Sequence, residues 1–259
     1  KDAPSAKDEV LRGNVSFKKI DFIYPHTGIH AIKNFSLEIK KGEKIAIVGK
    51  TGSGKSTIAQ LMLRMYDAQS GSLEYDGNNI KQIRTNAIRS QISYVPQDVF
   101  LFSETVKNNI RFGKKDATDE EVYKAVAQAS ILNEIKAFDE SFETMVGERG
   151  VTLSGGQKQR ISIARALIRK PELVIFDDCL SAVDARTENQ ILGNLYAYLE
   201  DKTAVIITHR IFSLFNFDKI VVLDDGEIAE QGTHEELMAK KGLYSSMYVK
   251  QQESEHVHQ

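Results

Sequence analysis

The sequence predicts an α/β fold with a mostly parallel core, an antiparallel sheet near the N-terminus and a helical insertion. Three observations predict it. The apolar run Lys44-Ile45-Ala46-Ile47-Val48 leads through a glycine-rich loop into residues 57–64, whose apolar positions recur at helical spacing. Short strand-like segments fill residues 10–48, broken by Pro25, Gly28 and Lys41-Gly42-Glu43. Between Asp98 and about Ala166 the periodicity turns helical, and apolar strand-like runs return at residues 173–176, 204–207 and 220–223.

Composition bounds the reading. A chain of 259 residues suffices for one large α/β domain or two small ones. With 41% hydrophobic and 27% charged residues it has the make-up of a soluble globular protein, not of a disordered one. A net charge of −2 gives no general electrostatic reason to expect nucleic acid. The single cysteine, Cys179, excludes an internal disulfide and suits a reducing compartment. No apolar run approaches the roughly 18 residues of a membrane span, and no signal-peptide core opens the chain. The chain is therefore expected to be soluble as it stands, and it could be a piece of something larger.

Taken in order, residues 1–9 are polar, contain Pro4 and read as a linker or edge segment. Asn14-Val15-Ser16-Phe17, Ile20-Asp21-Phe22-Ile23-Tyr24 and Phe35-Ser36-Leu37-Glu38-Ile39 read as separate strands of an antiparallel sheet. After the helix at 57–64, Ser72-Leu73-Glu74-Tyr75 with Asp76-Gly77 is a strand and turn, and Ile92-Ser93-Tyr94-Val95 is a strand ended by Pro96. Residues 119–127 read as a helix, with Thr118 as N-cap over an acidic first turn. One domain is expected over 10–251, with residues 98–166 as its helical insertion. The tail 252–259 is polar, and His256 and His258 read there as disordered residues rather than metal ligands.

The loop Gly49-Lys50-Thr51-Gly52-Ser53-Gly54-Lys55-Ser56 fits the pattern Gly, four residues, Gly-Lys-Ser/Thr, in the required strand–loop–helix context. Backbone N–H groups can close around a β-phosphate only if the loop adopts conformations that glycine permits. Lys55 would then sit as a point charge on the β- and γ-phosphates, the Ser56 hydroxyl would ligate Mg²⁺, and the helix start at Ser56 and Thr57 would add its partial positive charge.

Two further stretches carry chemistry. Leu173-Val174-Ile175-Phe176-Asp177 is an apolar strand ending in a carboxylate, which a magnesium-nucleotide site needs opposite its phosphate loop. Asp178 follows it, placed to orient or deprotonate an attacking water. Leu153-Ser154-Gly155-Gly156-Gln157 opens a helix, with Ser154 as N-cap and glycines that leave backbone N–H groups available to an anion. One phosphate loop plus a second anion-binding helix start far from it implies that two copies share nucleotides.

In this order and spacing, residues 49–56, 153–157 and 173–178 resemble the nucleotide-binding domain of ATP-binding cassette transporters. The resemblance runs from about Gly13 to Gln251. It implies a P-loop NTPase, RecA-like core with an N-terminal antiparallel β subdomain and an inserted α-helical subdomain. It also implies ATP and Mg²⁺ as ligands, with Ser56, Gln97 and Asp177 around the metal. Tyr24 would stack on adenine, Gln97 would sense the metal and γ-phosphate, Asp184 would lie on the loop that crosses to a partner, and His209 would be the γ-phosphate switch. The residues alone leave Tyr24 open as an end-of-strand aromatic, Gln97 as a solvated loop residue and His209 as a core imidazole.

Gly147-Glu148-Arg149-Gly150 and the segment 98–110 resemble the exporter branch, which implies a preceding transmembrane domain and a position on the cytoplasmic face of the cell membrane. The departure is Asp178, where the family's hydrolytic sites carry glutamate. Aspartate is one methylene shorter, and a general base must lie within about 2.6–3.2 Å of its water. The pattern resembles one half of heterodimeric exporters with unequal sites. A homodimeric ATPase in which Asp178 reaches its water is the alternative, and a regulatory module that binds ATP without hydrolysis is another.

Overall fold

The computed structural model describes residues 2–147, 151–183, 185–209, 211 and 217–256. They fall into two compact units, one of residues 1–92, 172–175 and 201–259, the other of residues 93–171 and 176–200.

The first unit holds an antiparallel sheet in the order β2-β1-β4-β5, built from β1 (Val15–Ile23), β2 (His30–Ile39), β4 (Ser70–Tyr75) and β5 (Asn78–Asn79). The two strands read at 14–17 and 20–24 are one strand. A bulge at Lys18 and Lys19 shifts the buried set from Val15 and Phe17 to Ile20 and Phe22, so the alternation breaks although the strand continues. Lys19 sits at φ 49°, and its carbonyl would lie 2.3 Å from a Cβ on Gly71, so the β4 residue facing the bulge has to be glycine. In β2 a second irregularity, with Asn34 at φ 44°, hides Ile32 from the rhythm of Phe35, Leu37 and Ile39.

The core of this unit is the strand order β12-β11-β3-β10, with residues 173–175 of β9 beside β10; the ranges are β3 (Lys44–Val48), β9 (Leu173–Asp177), β10 (Thr203–Ile207), β11 (Lys219–Asp224) and β12 (Glu227–Gly232). β3 pairs in parallel with both β10 and β11. Flanked on both sides, it buries Ile45, Ala46, Ile47 and Val48 completely, which explains its unbroken apolar sequence. β12 returns antiparallel through Asp225 (φ 44°) and Gly226 (φ 83°), a two-residue hairpin loop that needs two left-handed residues. Among the described residues the α-helices here are α1 (Lys55–Met62), α2 (Thr85–Gln91), α8 (His234–Lys240) and α9 (Leu243–His256).

Both ends of the chain differ from the sequence expectation. Residues 2–9 dock on this unit: Lys7 donates to the Gln82 carbonyl and its own carbonyl accepts from Arg84, both at 2.9 Å, and Ala6 is buried. Asp2 caps α2 from a distance, accepting from the Thr85 N–H at 3.1 Å and from Arg64 Nη1 at 3.1 Å. At the other end α9 continues through residues 252–256. Those residues lack an apolar stripe, so nothing in their sequence marked a helix. His258 lies outside the described residues.

The second unit carries the ends of β9 and β6 (Ile92–Val95), a short pair β7 (Glu104–Thr105) and β8 (Met145–Val146), and the helices α3 (Val106–Arg111), α4 (Asp119–Gln128), α5 (Leu132–Lys136), α6 (Gly155–Leu167) and α7 (Ala185–Tyr198). Among the described residues, the helical reading of residues 98–166 thus resolves into four α-helices, a 3-10 turn at Ser141–Glu143 and a small β pair. Thr118 caps α4 in a full capping box with Glu121. The buried Asn109 holds the start of the unit, its amide accepting from the Phe102 N–H at 2.9 Å and donating to the Phe102 carbonyl at 3.0 Å.

Candidate nucleotide site

In the first unit, β3 ends at Val48 and the chain turns through 49–54 into α1. Gly52 lies at φ 81° and Gly54 at φ 99°, where an L side chain is strained. Gly49 is glycine for a different reason, since a Cβ there would stand 2.2 Å from the Leu223 carbonyl oxygen. Gly54 serves as a left-handed N-cap with no side-chain cap, so the first N–H groups of α1 lack an acceptor within the helix. Lys55 Nζ donates to the carbonyls of Gly49 and Lys50, both at 2.8 Å, which holds the ammonium at the rim of the loop. Ser53 Oγ is buried with no hydrogen-bond partner, a cost that a ligand oxygen would relieve. A curved loop of N–H groups, a cation at its rim and an orphaned hydroxyl together fit a phosphate.

Thr51 and Gly52 are exposed at the loop tip, and Ser56 and Thr57 open α1. Thr57 Oγ1 is 2.9 Å from the Tyr24 hydroxyl, which donates to Gln60 Oε1 at 2.7 Å. Tyr24 is half-buried, edge-on to Phe22 at 4.9 Å and to Tyr66 at 5.4 Å, so its ring is fixed beside the phosphate-loop helix. The Thr208 N–H donates to the Ile47 carbonyl at 3.1 Å, which sets the exposed His209 just past the end of β3. This unit therefore gathers Tyr24, residues 49–57 and His209.

The second unit gathers the carboxylates. Asp177 ends β9 at 3% exposure, and its Oδ2 accepts from the Tyr94 hydroxyl at 3.1 Å. Asp178 adopts φ 46°, a left-handed conformation that Asp tolerates better than most side chains. Gln97 is exposed, and its Nε2 lies 3.4 Å from Asp178 Oδ2, so the glutamine expected near the metal reaches the carboxylate expected near the water. Cys179 is buried, and burial followed by the Asp178 charge pushes its thiol up, keeping it protonated and inert.

Ser154 is the N-cap of α6. Its hydroxyl accepts from the Gln157 N–H at 3.2 Å and Gln157 Oε1 accepts from the Ser154 N–H at 2.9 Å, closing a capping box. Gln157 Nε2 donates onward to Glu134 Oε2 at 3.0 Å, and Arg160 pairs with the same carboxylate, tying the helix start to α5. The glycines here have no left-handed φ. A Cβ on Gly155 would lie 3.1 Å from Ala182 Cβ, and one on Gly156 3.0 Å from Val183 Cγ1, so close packing of residues 182–183 explains both.

Sequence reasoning missed Gln159, which is buried one turn after Gly155 and Gly156. Its Oε1 accepts from the Ala182 N–H at 3.1 Å and its Nε2 donates to Ser181 Oγ at 3.2 Å. Spacing of three and four residues from the glycines put it on their face, and that was the signal available. Asp184, the expected crossing residue, lies outside the described residues, as do residues 148–150 of the exporter-like loop; Gly147 is described, at φ 92° against the Phe102 carbonyl.

The donors expected around Mg²⁺ are a hydroxyl (Ser56), an amide (Gln97) and a carboxylate (Asp177), all hard oxygen ligands. Among the described residues no group of three or more His, Cys, Asp or Glu side chains could form a protein-only metal cage. That donor set fits Mg²⁺, which is commonly bound through one or two carboxylates and substrate phosphates.

The ABC transporter family description matches residues 32–181, more than half of the chain. The chain belongs to the ABC transporter family. ATP-binding domains of ABC transporters are ATPases coupled to transport. This ABC domain is 48% identical over 240 residues to a probable multidrug resistance ABC transporter ATP-binding/permease protein, YheI, of Bacillus subtilis, covering 93% of this chain and 41% of that protein. It is 42% identical over 258 residues to the mitochondrial iron-sulfur clusters transporter atm1 of Aspergillus fumigatus, covering 98% of this chain and 35% of that one. A solved structure of a bacterial Atm1-family ABC exporter with ATP bound superposes with a TM-score of 0.92 at 39% identity, over 97% of this chain and 44% of that one. The ABC domain described here thus spans under half the length of these relatives. Among its described residues no helix is long and apolar enough to cross a membrane.

Proposed function

We propose that this chain is the ATP-binding and ATP-hydrolysing domain of an ABC exporter, working as a dimer with a second nucleotide-binding domain beneath a transmembrane domain that precedes it in the full-length protein. It sits on the cytoplasmic face of the membrane. The observation that carries the reading is the pairing of a phosphate loop with its own lysine, Lys55, and a second glycine helix start at α6, capped by its own Ser154.

Tyr24 positions the adenine, residues 49–57 hold the phosphates, and His209 and Gln97 respond to the γ-phosphate. The N–H groups at Gly155 and Gly156, with Ser154, cover the nucleotide held by the partner, so ATP binds the dimer together and stabilises it by mass action. Mg²⁺, when bound by Ser56, Gln97 and Asp177, would neutralise charge on the β- and γ-phosphates. Asp178 orients or deprotonates the attacking water. Loss of the γ-phosphate contacts releases the interface, and the helical subdomain with Glu148 passes the movement to the membrane domain.

Asp178 makes this domain's own site slow. Its shorter side chain holds the carboxylate back by about one C–C bond length, and a ~1 Å misplacement can cost on the order of a hundredfold in rate. Its contact with Gln97 fits that state, because the acid rests on the glutamine side chain. The favoured partner is therefore a different chain bearing a glutamate, in a heterodimer of unequal sites, rather than a second copy. The same residue favours a second reading, a regulatory module that binds ATP without turnover.

The test is Mg-ATP hydrolysis by wild type beside Asp178→Glu, at protein concentrations where light scattering shows an ATP-induced dimer. A glutamate variant at least ~10-fold faster supports the degenerate site. Equal rates make a homodimeric ATPase the better reading. No turnover by either, even beside a glutamate-bearing partner, leaves the regulatory module.

A further inference from the structure

In β6, Ile92, Ser93 and Val95 are fully buried, while Tyr94, on the same face as Ile92, is half-buried. Three residues later the chain reaches Gln97. The Tyr94 hydroxyl donates to Asp177 Oδ2 at 3.1 Å, a bond between the strand that leads to Gln97 and the strand that ends in the two carboxylates. The Asp177 side chain is itself 3% exposed, so its rotation about Cβ–Cγ is set by its neighbours and not by water. In this bond the phenol is the donor and the Asp177 carboxylate the acceptor.

We propose that Tyr94 is a positioning residue for the magnesium-nucleotide: by holding one oxygen of Asp177 it fixes the carboxylate plane in which the cation is met. Outer partners of this kind orient the groups that bind a metal, and their loss typically costs 10- to 100-fold in metal affinity. Phenylalanine at 94 would keep the ring and its packing and remove one oxygen. The inference rests on the reading of Asp177 as the metal's carboxylate.

The experiment is a Mg²⁺ titration of the purified protein with a fluorescent ATP analogue, read as binding and not as turnover, on wild type, Tyr94→Phe, Asp177→Asn and the double variant. Tyr94→Phe is expected to raise the half-saturating Mg²⁺ concentration by about 10-fold or more while leaving analogue binding in EDTA unchanged. In the Asp177→Asn background the same change adds little, because the tyrosine acts through that carboxylate. An unshifted midpoint in Tyr94→Phe, with Asp177→Asn shifted, overturns the proposal. So does an equal loss of binding in EDTA, which would mark Tyr94 as structural. An unshifted Asp177→Asn overturns the reading of Asp177 beneath it.

Discussion

The starts of α1 and α6 both pair glycine with a helix N-terminus, yet their glycines answer to different forces. At α1 two of them adopt left-handed dihedrals that strain an L side chain, and the loop curls around its own lysine. At α6 they have ordinary dihedrals and are small because residues 182–183 press against them. The α1 start carries a cation and an unpartnered buried hydroxyl; at α6 the Ser154 hydroxyl already serves its own helix in a capping box. A self-contained phosphate cradle and an open face stiffened from behind are different devices. The shared-nucleotide arrangement proposed above assigns the first to this chain's own nucleotide and the second to a partner's.

The strongest way to break this contrast is Lys55→Ala. Hydrogen bonds to charged groups contribute about 1.5–3 kcal/mol, so ATP affinity should fall roughly 10- to 100-fold in an equilibrium titration. No side chain at the α6 start should produce a comparable loss in the monomer. Next, Gly156→Ala places a methyl 3.0 Å from Val183 Cγ1 and 3.2 Å from the Ala182 carbonyl. It should destabilise by about 1–3 kcal/mol in thermal unfolding and weaken ATP-induced dimerisation, with monomer ATP affinity intact. If Gly156→Ala weakens monomer binding instead, the two starts are not separate devices.

Smaller still is Ser154→Ala, which should cost about 1 kcal/mol through the lost cap. A third helix start sharpens the point. α4 has the same capping box as α6, but its closing residue is Glu121 where α6 has Gln157. Hydrogen bonds from Lys114, then Lys170, and from the Thr118 N–H hold the Glu121 carboxylate down to about 2. A carboxylate lowered on folding contributes stability that is complete above its unfolded value near 4.3 and lost as pH falls through about 2. Amide exchange at the start of α4 should therefore rise between about pH 4 and 2 relative to the start of α6, whose amide cap does not titrate.

How much was legible follows from the same distinction between backbone demand and packing. Gly52, Gly54, Lys55, Ser154 and Asp177 stood out because phosphate and helix-start geometry restrict the residue types that serve. β3 stood out because burial on both faces leaves only apolar residues. The continuity of β1 did not, since its bulge resets the alternation that a strand is read by. β12 was missed because an edge strand of Glu227, Glu230 and Gln231 looks like loop, although Asp225-Gly226 signalled the hairpin. Gln159 had only its spacing from Gly155 and Gly156 to mark it, because its partners Ser181 and Ala182 are brought to it by the fold across more than twenty residues. Tyr94 is the same case, reaching Asp177 across 83 positions.

The bonds from Lys55 to the Gly49 and Lys50 carbonyls mean that the loop already has an occupant for its cation. On the proposed reading nucleotide capture is an exchange of partners: phosphate oxygens would displace two carbonyls from the same ammonium, and only the difference between the two sets of bonds would be felt as affinity. The two carbonyls act as tethered competitors for that ammonium. A weaker grip on those carbonyls would tighten ATP without adding a single contact to it.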